Sequence, residues 1–303
     1  MRTVLLGFAV LVLDGCKSEN DVVGDLPDYG AVNPPHVPVP QWTDRILQVT
    51  VPKVDILWTI DDSSSMGNEQ RELVDSFPEF ADYFVDSGLD FHIGVITTDI
   101  VDPLDDGELE AARGYTYIDN ETEDAIGVFS EMANVGITAI GEECGLGAVY
   151  HALELKRDTA NAGFYREDAD LHTIIISDEE DQTPPNVVTA EEFVGWYDGL
   201  KAEDRRQTFS SIVSFVDNPP ADRGVRYLAV TDAIGGIRWD IALGEWPLAL
   251  DQLGLQAGGY RTEFFLSHRP VPDSITVVEK RVDGVTIPHD RAVFDDAGLL
   301  VDG

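Results

Sequence analysis

Apolar runs that end in acidic or hydroxyl residues recur along the chain and predict buried strands. The first run is Val54–Ile60, which Asp61 and Asp62 follow directly. Similar runs cover residues 91–97, 172–177 and 209–216. Runs of this length with few polar positions are typical of strands that are covered on both faces of a parallel sheet.

Between these runs, the spacing of apolar residues changes to that of helices. Apolar positions between residues 73 and 84 recur every three or four residues and predict one helix, which Pro78 either kinks or starts. Thr189 and Glu192 form a capping box that predicts the start of another helix. The other predicted elements are helices over 145–155, 227–234 and 247–258, an edge strand over 239–241 and an acidic loop over 101–120.

The alternation of strands and helices predicts an α/β fold, a doubly wound and mostly parallel sheet flanked by helices. Residues 45–260 are assigned to this domain. Beyond it the pattern changes, because a strand is predicted over 263–267 and residues 275–282 and 285–287 flank a hairpin turn signal. Residues 261–303 are therefore predicted to form a small β-rich segment.

The N-terminus has the pattern of a targeting segment. A basic start precedes the apolar run Val4–Leu13, which is too short to span a bilayer but suits the core of a signal peptide. The residues up to Cys16 resemble a bacterial lipobox, which predicts a lipoprotein signal peptide over 1–16 and lipidation of Cys16. The alternative is a plain secretory signal with an incidental cysteine. Residues 17–44 are rich in proline and predict an extended tether.

The chain is strongly acidic, with 57 Asp and Glu against 20 Lys and Arg and a formal net charge of −37. Such a surface repels phosphate backbones and anionic lipid, which argues against nucleic acid as a partner and leaves a lipid anchor as the only predicted membrane contact. Lys17 after the cysteine favours the outer membrane of a bacterial envelope. Cys16 and Cys144 provide no disulfide framework, and Cys144 is expected to be a packing residue.

The candidate chemistry begins directly after the first predicted strand, in the segment Asp61-Asp62-Ser63-Ser64-Ser65-Met66. In a tight loop the alternate residues Asp61, Ser63 and Ser65 can converge on one point. A carboxylate and two hydroxyls form an oxygen-only ligand set that suits Mg²⁺ or a similar cation. The alternative is that these side chains cap the helix that follows.

This segment, Asp-x-Ser-x-Ser followed by Met after the strand Val-Asp-Ile-Leu-Trp-Thr-Ile, resembles the metal-ion-dependent adhesion site (MIDAS) of von Willebrand factor type A (VWA) domains. The resemblance covers about residues 50 to 245. It implies that a Thr from a later loop and an Asp at a later strand end complete the site. Thr138 and Asp178 are assigned to these positions, with Glu142 or Glu143 as alternatives to Thr138. The implied ion is Mg²⁺, with Mn²⁺ or Ca²⁺ as alternatives.

The acidic run after the strand over 172–177 has a further interpretation. We interpret this run, Glu179, Glu180 and Asp181, as solvated surface. The alternative role for Asp178 is that of a buried structural carboxylate. The segment Ile176–Asp181 is similar to a segment found in bacterial lipoproteins that contain a VWA domain.

The resemblance implies a metal-dependent protein-binding or adhesion module on a lipid-anchored envelope protein. The divalent cation would bridge to a Glu or Asp carboxylate of a partner, and no covalent chemistry is expected, so the chain is not predicted to be an enzyme. One alternative is a lipid-anchored scaffold with a vestigial metal site. The other is a Mg²⁺-dependent phosphohydrolase of the haloacid dehalogenase type, which is disfavoured because Ser63 stands where that class requires a second Asp.

Overall fold

The computed structural model describes residues 8–13, 42–47, 53–85, 89–101, 106–137, 142–217, 221–259, 275–280, 286–289, 293–294 and 300–302. The chain divides into two compact units. The first unit contains residues 50–260 together with 1–3, and the second contains residues 4–49 and 261–303.

The elements follow in chain order. The strands are β1 (Phe8–Leu13), β2 (Trp42–Leu47), β3 (Lys53–Ile60), β4 (Asp90–Thr97), β5 (Ile118–Asp119), β6 (Asp170–Ser177), β7 (Gln207–Val213), β8 (Arg238–Asp240), β9 (Ile275–Lys280), β10 (Thr286–His289), β11 (Val293–Phe294) and β12 (Leu300–Asp302). The α-helices are α1 (Glu69–Ala81), α2 (Ala125–Ala133), α3 (Gly145–Tyr150), α4 (Ala190–Asp198), α5 (Val225–Ile234) and α6 (Trp246–Ala257).

A six-stranded sheet in the order β5-β4-β3-β6-β7-β8 forms the centre of the first unit. All neighbouring pairs are parallel except β4 and β5. The chain leaves β3 for β4 on one side and later adds β6 on the other, which makes the end of β3 a point where the strand order reverses. Ligands of doubly wound sheets bind at such points, beyond the carboxyl ends of the strands.

Two hydrophobic cores cover the two faces of this sheet. The core under α1, α2 and α6 includes Trp58, whose ring packs edge-on against Phe80 with the ring centres 5.1 Å apart. The core under α3, α4 and α5 includes Leu57 and Tyr197. Because neighbouring residues of β3 enter opposite cores, the strand is apolar along most of its length. The predicted doubly wound, mostly parallel α/β fold is confirmed.

Several local predictions differ from the structure. Helix α1 starts at Glu69, well before Pro78, which lies inside it. The stretch predicted as a loop contains β5, which pairs with β4. Helix α2 was not predicted, and its start has no side-chain cap of the kind that marks the start of α4. Helix α3 continues as one π-helical turn over His151–Leu155. The capping box at the start of α4 is present as predicted.

The second unit contains an antiparallel sheet in the order β10-β9-β1-β2 and the separate pair β11 and β12. The predicted C-terminal hairpin is present as β9 and β10, which pair from Lys280 with Thr286. The predicted strand over 263–267 lies outside the described residues. Strand β1 comes from the run predicted as the core of a signal peptide, so cleavage before Cys16 would remove a strand that pairs with both β2 and β9.

In the part of the chain that the structure describes, none of the helices combines the length and apolar character that crossing a bilayer requires.

Candidate metal centre at the carboxyl edge of the sheet

The register of the three central strands brings their carboxyl ends together. Ile60 of β3 lies beside Thr97 of β4 and Ile176 of β6. The backbone N–H of Asp61 donates to the carbonyl of Ile176 at 3.0 Å, which extends the pairing by one residue. Asp61 is therefore held in line with the residues that end the two neighbouring strands.

Four of the five predicted metal ligands lie in one hydrogen-bonded group. The hydroxyls of Ser63 and Ser65 share a hydrogen bond of 3.0 Å, and the Ser65 hydroxyl donates to Oδ1 of Asp178 at 3.0 Å. The Asp61 carboxylate accepts the backbone N–H of Ser63 at 2.8 Å. Residues 61, 63 and 65 thus lie together with Asp178, which is distant along the chain. Thr138, the fifth, lies outside the described residues.

The loop between β3 and α1 is fixed by polar contacts from both sides. The Ser177 hydroxyl donates to Oδ2 of Asp61 at 2.6 Å. The Gln70 side-chain amide donates to the carbonyls of Asp61 and Gly136, at 2.9 and 2.7 Å, and so joins this loop to the segment that precedes residue 138. Neither Ser177 nor Gln70 was predicted as part of the site. The hydroxyl at the end of an apolar run was the available signal for Ser177.

The alternative interpretation of the serine loop as a helix cap is wrong. The residue that precedes α1 is Asn68, and no side chain caps this helix end. The Asp61 carboxylate instead accepts hydrogen bonds from the Ser63 N–H within the loop and from the Ser177 hydroxyl of β6. The Ser65 hydroxyl donates to Asp178, directly after β6.

Glu143 places a further carboxylate at the same edge. It precedes α3, and its carboxylate accepts a hydrogen bond from the Thr98 hydroxyl directly after β4. The next residue, Cys144, also bonds to Thr98, since its backbone N–H donates to the Thr98 carbonyl at 3.0 Å. The side chain of Glu143 is buried, whereas Glu142 is exposed. Thr98 was not predicted as a site residue.

Gly145 explains how closely α3 approaches the sheet. A Cβ at this position would lie 2.2 Å from Cδ1 of Ile175 on β6, so a larger residue would push the start of α3 outward. The backbone N–H of Gly145 also donates to the Tyr227 hydroxyl at 3.2 Å. The start of α3 is therefore held against both β6 and α5.

The interpretation of the acidic run after Asp178 as solvated surface is wrong for two of its residues. The Glu180 carboxylate accepts the backbone N–H groups of Val225 and Arg226 at the start of α5. Asp181 is buried and accepts the N–H of Leu146 at 3.1 Å, in the first turn of α3. Carboxylates stabilise helix starts by accepting N–H groups that have no partner within the helix.

Burial governs the electrostatics of this edge. It raises the pKa of Asp61, and the charge of Asp178 raises it further, although hydrogen bonds from Ser177 and Ser63 oppose the shift. Burial also raises the pKa values of Asp178 and Glu179. It raises the pKa of Glu143 to about 8, with the charge of Asp61 as the next contribution.

The residues present fit a hard divalent cation. In the described part of the chain, no Lys or Arg forms an ion pair with Asp61, Glu143, Asp178 or Glu179. The neighbouring stretches 102–105, 138–141 and 218–220 contain no Lys or Arg in their sequence. Within the described ranges, no group of three or more His, Cys, Asp or Glu residues forms a metal site by itself. A cation here would therefore use the serine hydroxyls as well as carboxylates, which is an oxygen set suited to Mg²⁺, Mn²⁺ or Ca²⁺.

Cys144 does not add nucleophilic chemistry to this edge. The thiol is buried, and burial raises its pKa to about 12. A thiol at this pKa is protonated at neutral pH and is a poor nucleophile.

No family model matches the chain, and no curated protein sequence matches it. Among solved structures, similar chains include proximal thread matrix protein 1 (PTMP1) from the mussel byssus. Its crystal form 2 has a TM-score of 0.42 and 12% identity, covering 68% of this chain and 46% of that chain. A PTMP1 structure with a zinc-occupied MIDAS motif has a TM-score of 0.43 and 14% identity, covering 69% of this chain and 48% of that chain.

The chain thus spans about half the length of these PTMP1 chains. At these identities and TM-scores, the similar structures do not assign the chain to a family.

Proposed function

We propose that the chain is a divalent-cation-dependent protein-binding module of the VWA type. The observation that carries the proposal is the hydrogen-bonded group formed by Ser63, Ser65 and Asp178 beside Asp61. These four residues would hold the ion, together with a residue from the segment before α3. Thr138 is the candidate from the resemblance, and Glu142 and Glu143 are the alternatives.

The bound ion would supply an open coordination position for an oxygen atom of a partner protein. The residues of the chain would hold and orient the ion without forming or breaking a covalent bond. Ser63 occupies the position at which a phosphohydrolase of the haloacid dehalogenase type needs a second carboxylate. We therefore propose a binding function without catalysis. From the family resemblance, the oxygen is expected to come from a Glu or Asp of the partner.

Exposed apolar residues near the site support a protein as the partner. Val101 follows β4, Val216 follows β7 and Val225 starts α5, so all three lie at the carboxyl edge of the sheet. Ile137 approaches Gly67 of the serine loop. Exposed aliphatic side chains around a polar centre offer apolar area that protein interfaces bury. The same edge is acidic, which disfavours nucleic acid.

The test is the thermal unfolding midpoint of the purified chain, titrated with Mg²⁺, Mn²⁺ and Ca²⁺. We expect a saturable rise that Asp178→Asn abolishes, because ions that bind only the folded state stabilise it. Asp158→Asn is the matched control, since it removes one charge from an exposed turn. No rise in the wild type would support the scaffold alternative. Release of phosphate from an aryl phosphate would instead support the phosphohydrolase.

We further propose that the module is lipid-anchored through Cys16 in a bacterial outer membrane. The supporting observation is the lipobox-like sequence that ends in Cys16 after an apolar run. The same run forms β1, so lipid-linked processing and retention of this strand exclude each other. Mass spectrometry of the mature protein from bacterial membranes would show diacylglyceryl-Cys16 at its start. An intact N-terminus, or membrane association that Cys16→Ala leaves unchanged, would refute the anchor.

A further inference from the structure

Gln70 is a buried polar side chain that links two loops at the carboxyl edge of the sheet. It lies in the first turn of α1 and is 4% exposed. Its Nε2 donates to the carbonyl of Asp61 at 2.9 Å and to the carbonyl of Gly136 at 2.7 Å. One side chain therefore connects the serine loop to a segment that lies 66 residues beyond Gln70 along the chain.

The chemistry of this contact is specific for glutamine. An amide nitrogen has two hydrogens, and here each is donated to a different carbonyl. A glutamate would have no hydrogen to donate, and an asparagine would be shorter by one methylene. A methionine has the same length but no donor, so it would leave both carbonyls without this partner. Since buried polar groups are costly when they are unpaired, loss of the amide should loosen the contact between the two segments.

A second contact joins the same two segments. A Cβ at Gly67 would lie 3.5 Å from Cγ2 of Ile137, which is an ordinary van der Waals distance. Gly136, between Ile137 and the end of α2, has a φ of +93°, a conformation that favours glycine. Ile137 is 46% exposed. The two contacts thus hold an exposed apolar side chain next to the serine loop, where a partner can reach it.

The surroundings of Asp61 show what the contact with Gln70 contributes. The N–H of Asp61 donates to the carbonyl of Ile176, and its carboxylate oxygens accept from the Ser63 N–H and the Ser177 hydroxyl. Its carbonyl accepts from Gln70. All the polar groups of Asp61 therefore have partners, and Gln70 is the partner that belongs to α1.

Resting on the proposed function, we propose that Gln70 is a positioning residue of the ion site. It holds the backbone of Asp61 and the segment 134–137 at a fixed spacing before an ion arrives. Ligands that are ordered in advance bind more tightly, because the entropy cost of ordering them has been met during folding. Gln70 itself would not contact the ion. It would fix Asp61, a proposed ligand, and Ile137, a proposed contact for the partner.

The first test is calorimetric titration of Mn²⁺ into the full chain and two variants. Gln70→Met keeps the length of the side chain and removes both donors. We expect it to weaken Mn²⁺ binding by at least about tenfold, since loss of a group that orients a metal ligand costs about 10–100-fold. Gln256→Met is the matched control, because Gln256 is half-buried on α6 and accepts from the Ser210 hydroxyl of β7. The control should bind Mn²⁺ as the wild type does.

The second test needs no ion and separates positioning from general stability. Hydrogen exchange in chelator reports the opening of backbone N–H groups, region by region. In the serine loop, the N–H of Ser63 bonds to the Asp61 carboxylate and that of Met66 to the Ser63 carbonyl. We expect both to exchange faster in Gln70→Met, whereas the N–H groups of β3 should exchange at the wild-type rate. Equal acceleration in the loop and in β3 would mean that Gln70 only stabilises the fold, which would contradict the proposal.

The outcomes separate this inference from the proposed function. If Asp178→Asn abolishes Mn²⁺ binding while Gln70→Met binds as tightly as Gln256→Met, the ion site stands and the role of Gln70 is refuted. If the wild type shows no saturable Mn²⁺ binding, the proposed function and the inference both fail. Gln70→Asn keeps an amide but withdraws it by one methylene, and it replaces Gln70→Met in both tests, with the same expected losses, if the methionine variant does not fold.

Discussion

Strand β3 has a buried aspartate near each end, and the surroundings of the two carboxylates differ in charge. Asp55, near the amino end, receives the backbone N–H and the Nε of Arg166, each at 2.7 Å, and lies 3.5 Å from Nζ of Lys201. Asp61, after the carboxyl end, receives the Ser63 N–H and the Ser177 hydroxyl. Both side chains are fully buried.

The difference shows which edge of the sheet is complete without a ligand. Burial raises the pKa of both aspartates, but the charges of Arg166 and Lys201 oppose the shift at Asp55, whereas the charge of Asp178 adds to it at Asp61. The chain thus brings its own cations to the amino edge. At the carboxyl edge Arg226 pairs with Asp181, but among the described residues no Lys or Arg forms an ion pair with Asp61 or Asp178, as expected where a cation comes from solution.

The largest effect is expected from Asp55→Asn. The substitution leaves Arg166 and Lys201 without their buried carboxylate, and breaking a buried pair in this way costs about 3–5 kcal/mol. Urea unfolding should show this loss equally with and without divalent ions. The metal-induced rise in the unfolding midpoint should persist. A variant as stable as the wild type would mean that the two cations do not depend on Asp55.

The same substitution at the other end of the strand, Asp61→Asn, should behave in the opposite way. Without metal the free energy of unfolding should change little, because the asparagine still accepts a hydrogen bond and one uncompensated charge is removed. With an ion at one hundred times its Kd, the wild type should gain about 2.7 kcal/mol that the variant lacks. Urea unfolding in chelator and in Mn²⁺ measures both. A large loss in chelator would show that Asp61 is structural.

His172 extends the comparison to a buried base. Its Nδ1 lies 2.6 Å from the Thr208 hydroxyl, and burial, followed by the charge of Arg206, lowers its pKa to about 3. The unfolded chain takes up this proton near pH 6.5. Stability from the neutral imidazole is therefore complete above that pH and is lost as the pH falls towards 3, by about 2 kcal/mol at pH 5.

Comparison with His172→Gln isolates this contribution, because the other titrating groups are the same in both proteins. The difference in unfolding free energy between wild type and variant should shrink between pH 7.5 and pH 5 in chelator. Parallel curves would indicate that the imidazole is protonated in the folded state.

The sequence was sufficient for the parallel strands of the sheet and for the paired ends of β3 and β6, but not for the antiparallel edge strand β5. Long apolar runs identify strands that are buried on both faces, and parallel pairing then brings Asp61 and Asp178 to one edge. The strand ends can be placed from local patterns because β3 pairs with β4 and β6 in parallel without a register shift.

The rest depends on the direction of side chains in loops, for which a sequence has no periodic signal. Glu142 and Glu143 are identical in type, but Glu143 is buried with its carboxylate on the Thr98 hydroxyl, whereas Glu142 is exposed. Glu180 and Asp181 read as a solvated acidic run because the helix starts that they cap come from other parts of the chain. Helix α2 was not predicted because its start lacks a capping box like the one that marks α4, a helix of the same length.

The smallest effect is expected from Asp168→Asn, which tests whether burial, and not pairing alone, makes Asp55 important. Asp168 pairs with Lys53 at the same amino edge, but its side chain is 61% exposed. Exposed ion pairs contribute little, because water and salt screen them and ordering two side chains costs entropy. Urea unfolding should therefore not distinguish this variant from the wild type at physiological salt, and the response to Mn²⁺ should be unchanged. A loss comparable to that of Asp55→Asn would show that charge pairing stabilises this edge regardless of burial, and the contrast between the two ends of β3 would then need another cause.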